Sequence, residues 1–308
     1  MEQASTISKD LVEEARRLKN EFEELVCVYS TDLWNYCKYV TGSPWDGEDL
    51  FQETMIKAFG LLPQRWSDIT DKKYYLFRVA TNTWLDQCRK QNREIGMLDE
   101  TPEATLDFSD HLRLEEILIS LESNLTPKQT AAFLLLDIFQ FSAEEIAGIV
   151  HSTPGGVYSA VQRARRKIAS LDFTQSKAQR DTQVQNPTIQ AYLQAFNNGD
   201  LDSMLRLFSD QAQNEAFFGF QEFSKSEMLK GSLKFGLPGH TAQEFILWNK
   251  PVIIVLANGE IHDIQIQEIE NGKIVSHQSY FFRKEFILAA AEELGMKAQM
   301  VKPPVNWK

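Results

Sequence analysis

The sequence predicts a multidomain chain, all-α in two helical domains up to residue 171 and α+β over the remainder. Three observations carry this. Apolar residues recur every three or four positions through 10–97 and again through 112–171, the period of a helix face. Asn258-Gly259 and Asn271-Gly272 each sit between β-branched or alternating runs, the strongest short-range sign of a hairpin. Two polar stretches, 98–111 and 172–185, break the pattern and read as linkers, leaving 186–308 as the α+β part.

In the first domain, "LVEEARRLKNEFEELVCVYSTDLWNYCKYV" reads as helix, and Asp46 is placed as the N-cap of a second helix, "DGEDLFQETMIKAF". After a break at "LLPQRWSDITDKK" a third helix runs through "YYLFRVATNTWLDQCRKQNR". In the second domain Thr126 before Pro127 predicts an N-cap with proline in the first turn. Ser142 with Glu145 predicts a capping box. The break "HSTPGG" then leads into "VYSAVQRARRKI", so helix, tight turn and basic helix make a helix-turn-helix pattern. The last part opens with two helices, near 187–197 and 200–209. A three-stranded meander ("PVIIVLA", "EIHDIQIQEIE", "KIVSHQSYFF") and a closing helix, "RKEFILAAAEELG", follow.

Composition narrows the function. No apolar run approaches the roughly 20 residues of a membrane span and "MEQASTISKD" has no signal-peptide core, so a cytoplasmic protein without membrane contact is expected. Cys27, Cys37 and Cys88 are odd in number and, with five histidines, form no close ligand spacing; reduced thiols, no metal and no cofactor are expected. The formal charge of −11 argues against a stand-alone nucleic-acid binder, although 163–167 reads "RARRK".

Three charged constellations follow from spacing. Around Asp46, Phe51, Met55 and Phe59 recur every fourth residue and are expected to face inward with Leu50, leaving Asp46, Glu48, Asp49, Gln52 and Glu53 outward. These acids either complement the helix dipole or meet a basic partner. Asn82, Asp86, Arg89 and Arg93 form one helical stripe, read either as a solvated ion pair or, with Tyr74, Tyr75, Phe77, Trp84 and Lys72 nearby, as a surface for single-stranded nucleic acid. Arg163, Arg166 and Lys167 share a face of the basic helix, with Arg165 beside it, and either reach phosphates or cap a helix end.

Taken in order and spacing, "DGEDLFQETMIKAF", "YYLFRVATNTWLDQCRKQNR" and "LTPKQTAAFLLLDIFQFSAEEIAGIVHSTPGGVYSAVQRARRKI" resemble regions 2 and 4 of extracytoplasmic-function sigma factors of bacterial RNA polymerase, over about residues 15–170. The resemblance implies that Asp46, Glu48, Asp49, Gln52 and Glu53 dock on the β′ clamp helices of core polymerase. It implies that Trp66, Lys72, Asn82, Asp86, Arg89 and Arg93 melt and read the −10 element, an extruded base being held by its edge and by stacking. Region 4 would contact the β flap and set Thr153, Tyr158, Ser159, Gln162, Arg163, Arg166 and Lys167 on the −35 element. The chain departs from the family at Tyr158 and Ala160, where Lys and Arg are frequent, and at Gly155-Gly156.

The last third resembles the SnoaL-like cone in "IQAYLQAFNNGDLDSMLRLFSD". The "DGGGK"-like motif of one sigma subgroup with such an extension is replaced by "NEAFFGFQEF". Phe218, Trp248, His262 and Tyr280 are its candidate ligand pocket, with Asp263 and His277 further candidates for an acid or base and Phe217 and Phe220 as apolar lining. The expected function is promoter recognition by a dissociable, non-enzymatic polymerase subunit, whose C-terminal domain regulates through a small molecule or an intramolecular contact. The alternatives are a ligand-sensing helix-turn-helix regulator and, behind it, a SnoaL-like enzyme tethered to a DNA-binding part.

Overall fold

The structure, a computed structural model, describes residues 28–60, 69–95, 121, 124–169, 186–216, 220–230 and 239–301, with the side chains of 92–95 and 220 excepted. The chain forms two compact units, Met1–Ser176 and Lys177–Lys308. The expected linkers 98–111 and 172–185, the helix start near 10 and Trp66 lie outside the described residues.

The first unit is helical. Helix α1 covers 28–41, α2 is Pro44–Gly60 and α3 is Lys72–Ile95. Ser43 caps α2, its Oγ accepting from the Asp46 N–H at 3.3 Å; Asp46 sits within the first turn and is not the cap, because Pro44 already takes a helical position. A Cβ on Gly47 would come within 2.5 Å of the Lys38 Cα, so only glycine lets α2 cross α1 this closely. Helices α4 (Pro127–Phe133), α5 (Ala143–Val150) and α6 (Pro154–Ala169) follow. Both expected caps are present: Thr126 with Gln129, and Ser142 with Glu145, each bond reciprocal.

The sequence pattern did not show that α4 continues into a π-helical turn, Leu134–Ile138, ended by Gln140 at φ +59°. That turn carries Phe139 and Phe141 onto α1 and α3. Phe139 packs on Tyr36 (5.5 Å) and Phe77 (5.2 Å), and Phe141 on Phe77 (5.1 Å). Beneath them the Tyr36 hydroxyl meets Thr81 Oγ1 at 2.7 Å, and burial pushes the phenol's pKa far up.

The second unit is α+β. Helices α7 (Pro187–Asn197) and α8 (Leu201–Leu207) lead into β1 (Phe208–Ala216) and β2 (Phe220–Glu222); after α9 (Lys225–Lys230) come β3 (His240–Leu247), β4 (Lys250–Ala257), β5 (Glu260–Glu270), β6 (Lys273–Ser279) and α10 (Lys284–Leu294). The sheet has six strands, ordered β2-β1-β6-β5-β4-β3, with β1 parallel to β6 and every other pair antiparallel. The expected meander is its β4-β5-β6 centre. Asn258 and Asn271 take left-handed φ of 53° and 50° with Gly259 and Gly272 following, as their hairpins require.

One face of the sheet buries Ala242, Ile253, Val255 and Ile274 against Ile189, Tyr192, Ala195 and Met204 of α7 and α8. Out of phase with these, Ile254 and Ile264 pair on the opposite face. Helix α10, with Phe286 and Ile287 buried, packs along β3 and β5.

Candidate functional site: an acidic helix, a basic helix and a polar sheet face

On α2 the five acids and amides do not share one face. Asp46 and Asp49 are exposed, and Gln52 and Glu53 are half-buried. Glu48 is 0% exposed: it accepts from Trp34 Nε1 at 2.8 Å and Gln52 Nε2 at 2.9 Å. Its expected outward position is therefore corrected, since an indole N–H buried beside it needs an acceptor and the carboxylate one turn in from the helix start supplies it. Glu53 takes Lys57 at 2.6 Å and Gln87 Nε2 at 2.7 Å.

Phe59, expected inside with Phe51 and Met55, is 46% exposed, because a four-residue step overshoots a helical turn and the third member drifts off the face. Ile56, which the pattern did not single out, is 70% exposed. Asp46, Asp49, Glu53 and Ile56 thus form an acidic stripe with an apolar residue in line.

On α3, Asp86 and Arg89 pair with each other on the surface, and Asn82 is half-buried. Lys72 begins the helix, and Arg93 lies in its last turn with a side chain outside the described set. Of the neighbouring aromatics, Phe77 and Trp84 are core, Tyr74 and Tyr75 are half-buried, and the Tyr75 hydroxyl donates to Ala58 O at 3.2 Å.

The helix-turn-helix is built by α5 and α6, with His151 at φ +53° ending α5. Gly156 lies against the Ser152 side chain, whose Oγ a Cβ there would meet at 2.5 Å. Val157, Val161, Ala164 and Ile168 bury one side of α6. Tyr158, Ser159, Gln162, Arg163 and Arg166 are exposed on the other, and Lys167 is half-buried at the margin. The hydroxyls are engaged within the helix, Thr153 Oγ1 accepting from the Gly156 N–H at 3.1 Å and Ser159 donating to Gly155 O at 2.9 Å. Arg165 does not stand ready for phosphate: Nε and Nη2 donate to Asp137 at 2.8 and 2.6 Å, and the hydrogen bond with Asp137 raises its pKa.

In the α+β unit the described candidate pocket residues fall into two groups of ring contacts. Phe218 lies outside the described residues. Trp248, at φ +45° in the β3–β4 turn, and Tyr280 both pack on Phe286, at 5.3 and 4.7 Å. His262 packs tilted on His240 and edge-on against Phe281 instead. The polar groups that do converge are on the face toward α7. Gln267, His277, Asn214 and Glu222 are cross-strand partners in one row. Beside it Tyr192 donates to Gln265 at 3.1 Å, and Gln265 and Ser279 both donate to Asp263, at 3.0 and 2.9 Å. Burial pushes His277 down to about 4, so its imidazole is neutral at pH 7. The alternation Asp263, Gln265, Gln267 in β5 was the available sequence signal for this face.

Among the described residues no helix is long and apolar enough to cross a membrane, and no cluster of His, Cys, Asp or Glu is arranged to hold a metal.

The first unit thus carries an acidic stripe on α2 and, after it, a helix-turn-helix with a basic face. Residues 25–94 match Sigma-70 region 2 and residues 116–168 match Sigma-70, region 4. The two matches follow one another in chain order and leave residues 169–308 outside them. The chain is 26% identical to the extracytoplasmic-function RNA polymerase sigma factor SigG of Mycobacterium tuberculosis over 65% of its own length and 62% of SigG. It is 29% identical to the RNA polymerase sigma-E factor of Streptomyces avermitilis over 52% of itself and 92% of that protein. A crystal structure of the Mycobacterium tuberculosis extracytoplasmic-function sigma factor SigJ aligns over 84% of this chain and 95% of SigJ, with 18% identity and a TM-score of 0.32. The chain thus spans less than two thirds of the SigG relative's length.

Proposed function

We propose that the protein is a dissociable specificity subunit that brings core RNA polymerase to promoters and initiates transcription, its α+β unit regulating rather than catalysing. The observation that carries this reading is the pairing, in order, of regions 2 and 4 with an exposed acidic stripe on α2 and an exposed basic face on α6.

In this reading Asp46, Asp49, Gln52 and Glu53, with Ile56 in line, meet the β′ clamp helices. Glu48 holds the helix from within. The −10 element is met by α3 and the segment before it, with Asn82, Asp86, Arg89, Arg93, Lys72 and Trp66. The −35 element is met by Tyr158, Gln162, Arg163 and Arg166, with Lys167 at the edge and Thr153 and Ser159 shaping the helix start, while region 4 rests on the β flap. A net charge of −11 suits a subunit whose DNA affinity comes largely from its polymerase partner. The protein is expected in the cytoplasm.

Run-off transcription with purified core polymerase, comparing the full chain with one ending at Ser176, tests the reading. Transcripts from defined starts are expected, and a change on truncation gives the sign of control by the α+β unit. No transcript and no core binding, with tight duplex binding by the free chain, would replace it with the ligand-sensing regulator.

A further inference from the structure

We propose that Asp137 is a positioning residue for promoter recognition: it withholds Arg165 from DNA and locks the rotation of α6, whose exposed side carries Arg163 and Arg166. The inference rests on the proposed reading of α6 as the DNA-facing helix.

Four of the last seven residues of α6 are cations, and the helical period sets Arg165 beside the face of the other three. They are not equivalent in space. Arg163 and Arg166 share the exposed side with Ser159 and Gln162, whereas Arg165, two turns on from Tyr158, stands at one edge of that side, next to the π-helical turn. There it meets Asp137 through two bonds, at 2.8 and 2.6 Å, the fork-to-fork geometry that fixes direction as well as distance. The Asp137 side chain is only 19% exposed, against 54% for Arg165, so the acid is the anchored partner.

Its anchor is rigid. Phe139 N–H closes onto Leu134 O at 3.0 Å and Phe141 N–H onto Leu135 O at 2.9 Å, and both rings are held against α3. A side chain held at one end by a buried turn and at the other by α6 resists rotation of that helix about its axis. The pair also contributes no net charge to phosphate binding, and non-specific affinity follows the number of phosphates neutralised. Keeping Arg165 out lowers sequence-independent binding and leaves the reading face to discriminate.

Binding of the full chain to a labelled duplex, followed by fluorescence anisotropy over a low-salt series, tests this. Asp137→Asn is expected to raise affinity several-fold and to steepen the slope of log K against log salt by about 0.9, the value of one added phosphate contact. Asp137→Glu restores the wild-type slope. Arg165→Ala leaves the wild-type slope unchanged but removes the gain in the Asp137→Asn background. A purely structural pair would lower stability in both single variants and leave every slope alone, which overturns the proposal. A fall of about 0.9 in slope for Arg165→Ala by itself also overturns it, since Arg165 would then already be on phosphate. If Asp137→Asn does not fold by circular dichroism, Asp137→Ser is read in its place, with the same steepening expected. Binding undetectable for the wild type and Asp137→Asn alike at the lowest salt counts against it as well. A chain that captures no core polymerase but shows the Asp137-dependent slope sinks the proposed function and keeps this inference.

Discussion

The two units handle polar side chains in opposite ways. In the helical unit the charged groups of α2 and α6 are mostly on the outside, and among its buried polar groups Glu48 and the Tyr36–Thr81 pair tie one helix to another. In the α+β unit polar groups line an inner face: Asp263, Gln265, His277, Asn214 and Glu222 are all buried, and Tyr192 bonds across to them. Outward charge suits a surface read by large partners. Inward polarity costs desolvation at each group and persists only where bonds compensate it, so that unit should answer to pH where the helical unit answers to salt.

The largest expected effect sharpens that contrast. His277 has a folded pKa of about 4, below its ordinary value of 6.5, so on acidification the unfolded chain takes up the proton first. The contribution is fully present above pH 6.5 and is lost as pH falls toward 4, about 3 kcal/mol in all. Hydrogen-exchange mass spectrometry, corrected for intrinsic rates, should show β5 and β6 losing protection over that window more than α2 and α3. His277→Gln should flatten the difference; an unchanged profile would mean that His277 does not report on the inner face.

Next in size, Glu48→Ala should lower stability by about 1–3 kcal/mol by leaving the Trp34 N–H without its acceptor. Asp49→Ala should stay within about 0.5 kcal/mol while weakening capture of core polymerase. Equal losses of stability in the two variants would erase the distinction between inner and outer acids of α2. Tyr36→Phe should cost about 1 kcal/mol in urea unfolding, because Thr81 keeps a second bond to Phe77 O. Smallest in energy, Arg166→Ala should leave the melting temperature alone, lower promoter-directed transcription and reduce the salt slope of DNA binding by about 0.9.

Much of the fold was legible because its signals are local. The capping pairs Thr126–Gln129 and Ser142–Glu145 each act within one turn, and the Asn-Gly turns need only two residues. Strand β3 escaped notice because Trp248-Asn249 makes a left-handed turn without glycine. Strand β1 escaped because its partner β6 follows some sixty residues later and runs parallel, which leaves no turn signature between them. At the site, the two families of charge were visible as composition, but the burial of Glu48 and the pairing of Arg165 were settled by neighbouring segments.

The sequence by itself determined which segments are helix or strand, where most of them begin, and that an acidic helix precedes a basic helix-turn-helix, since periodicity, caps and turn residues act over a few positions. Tertiary structure alone decided which member of each charge run is presented. Trp34, fourteen residues before Glu48, turns one acid inward, and Asp137, twenty-eight residues before Arg165, turns one cation aside. A hydrogen-bond partner that distant becomes a neighbour only once the helices have packed.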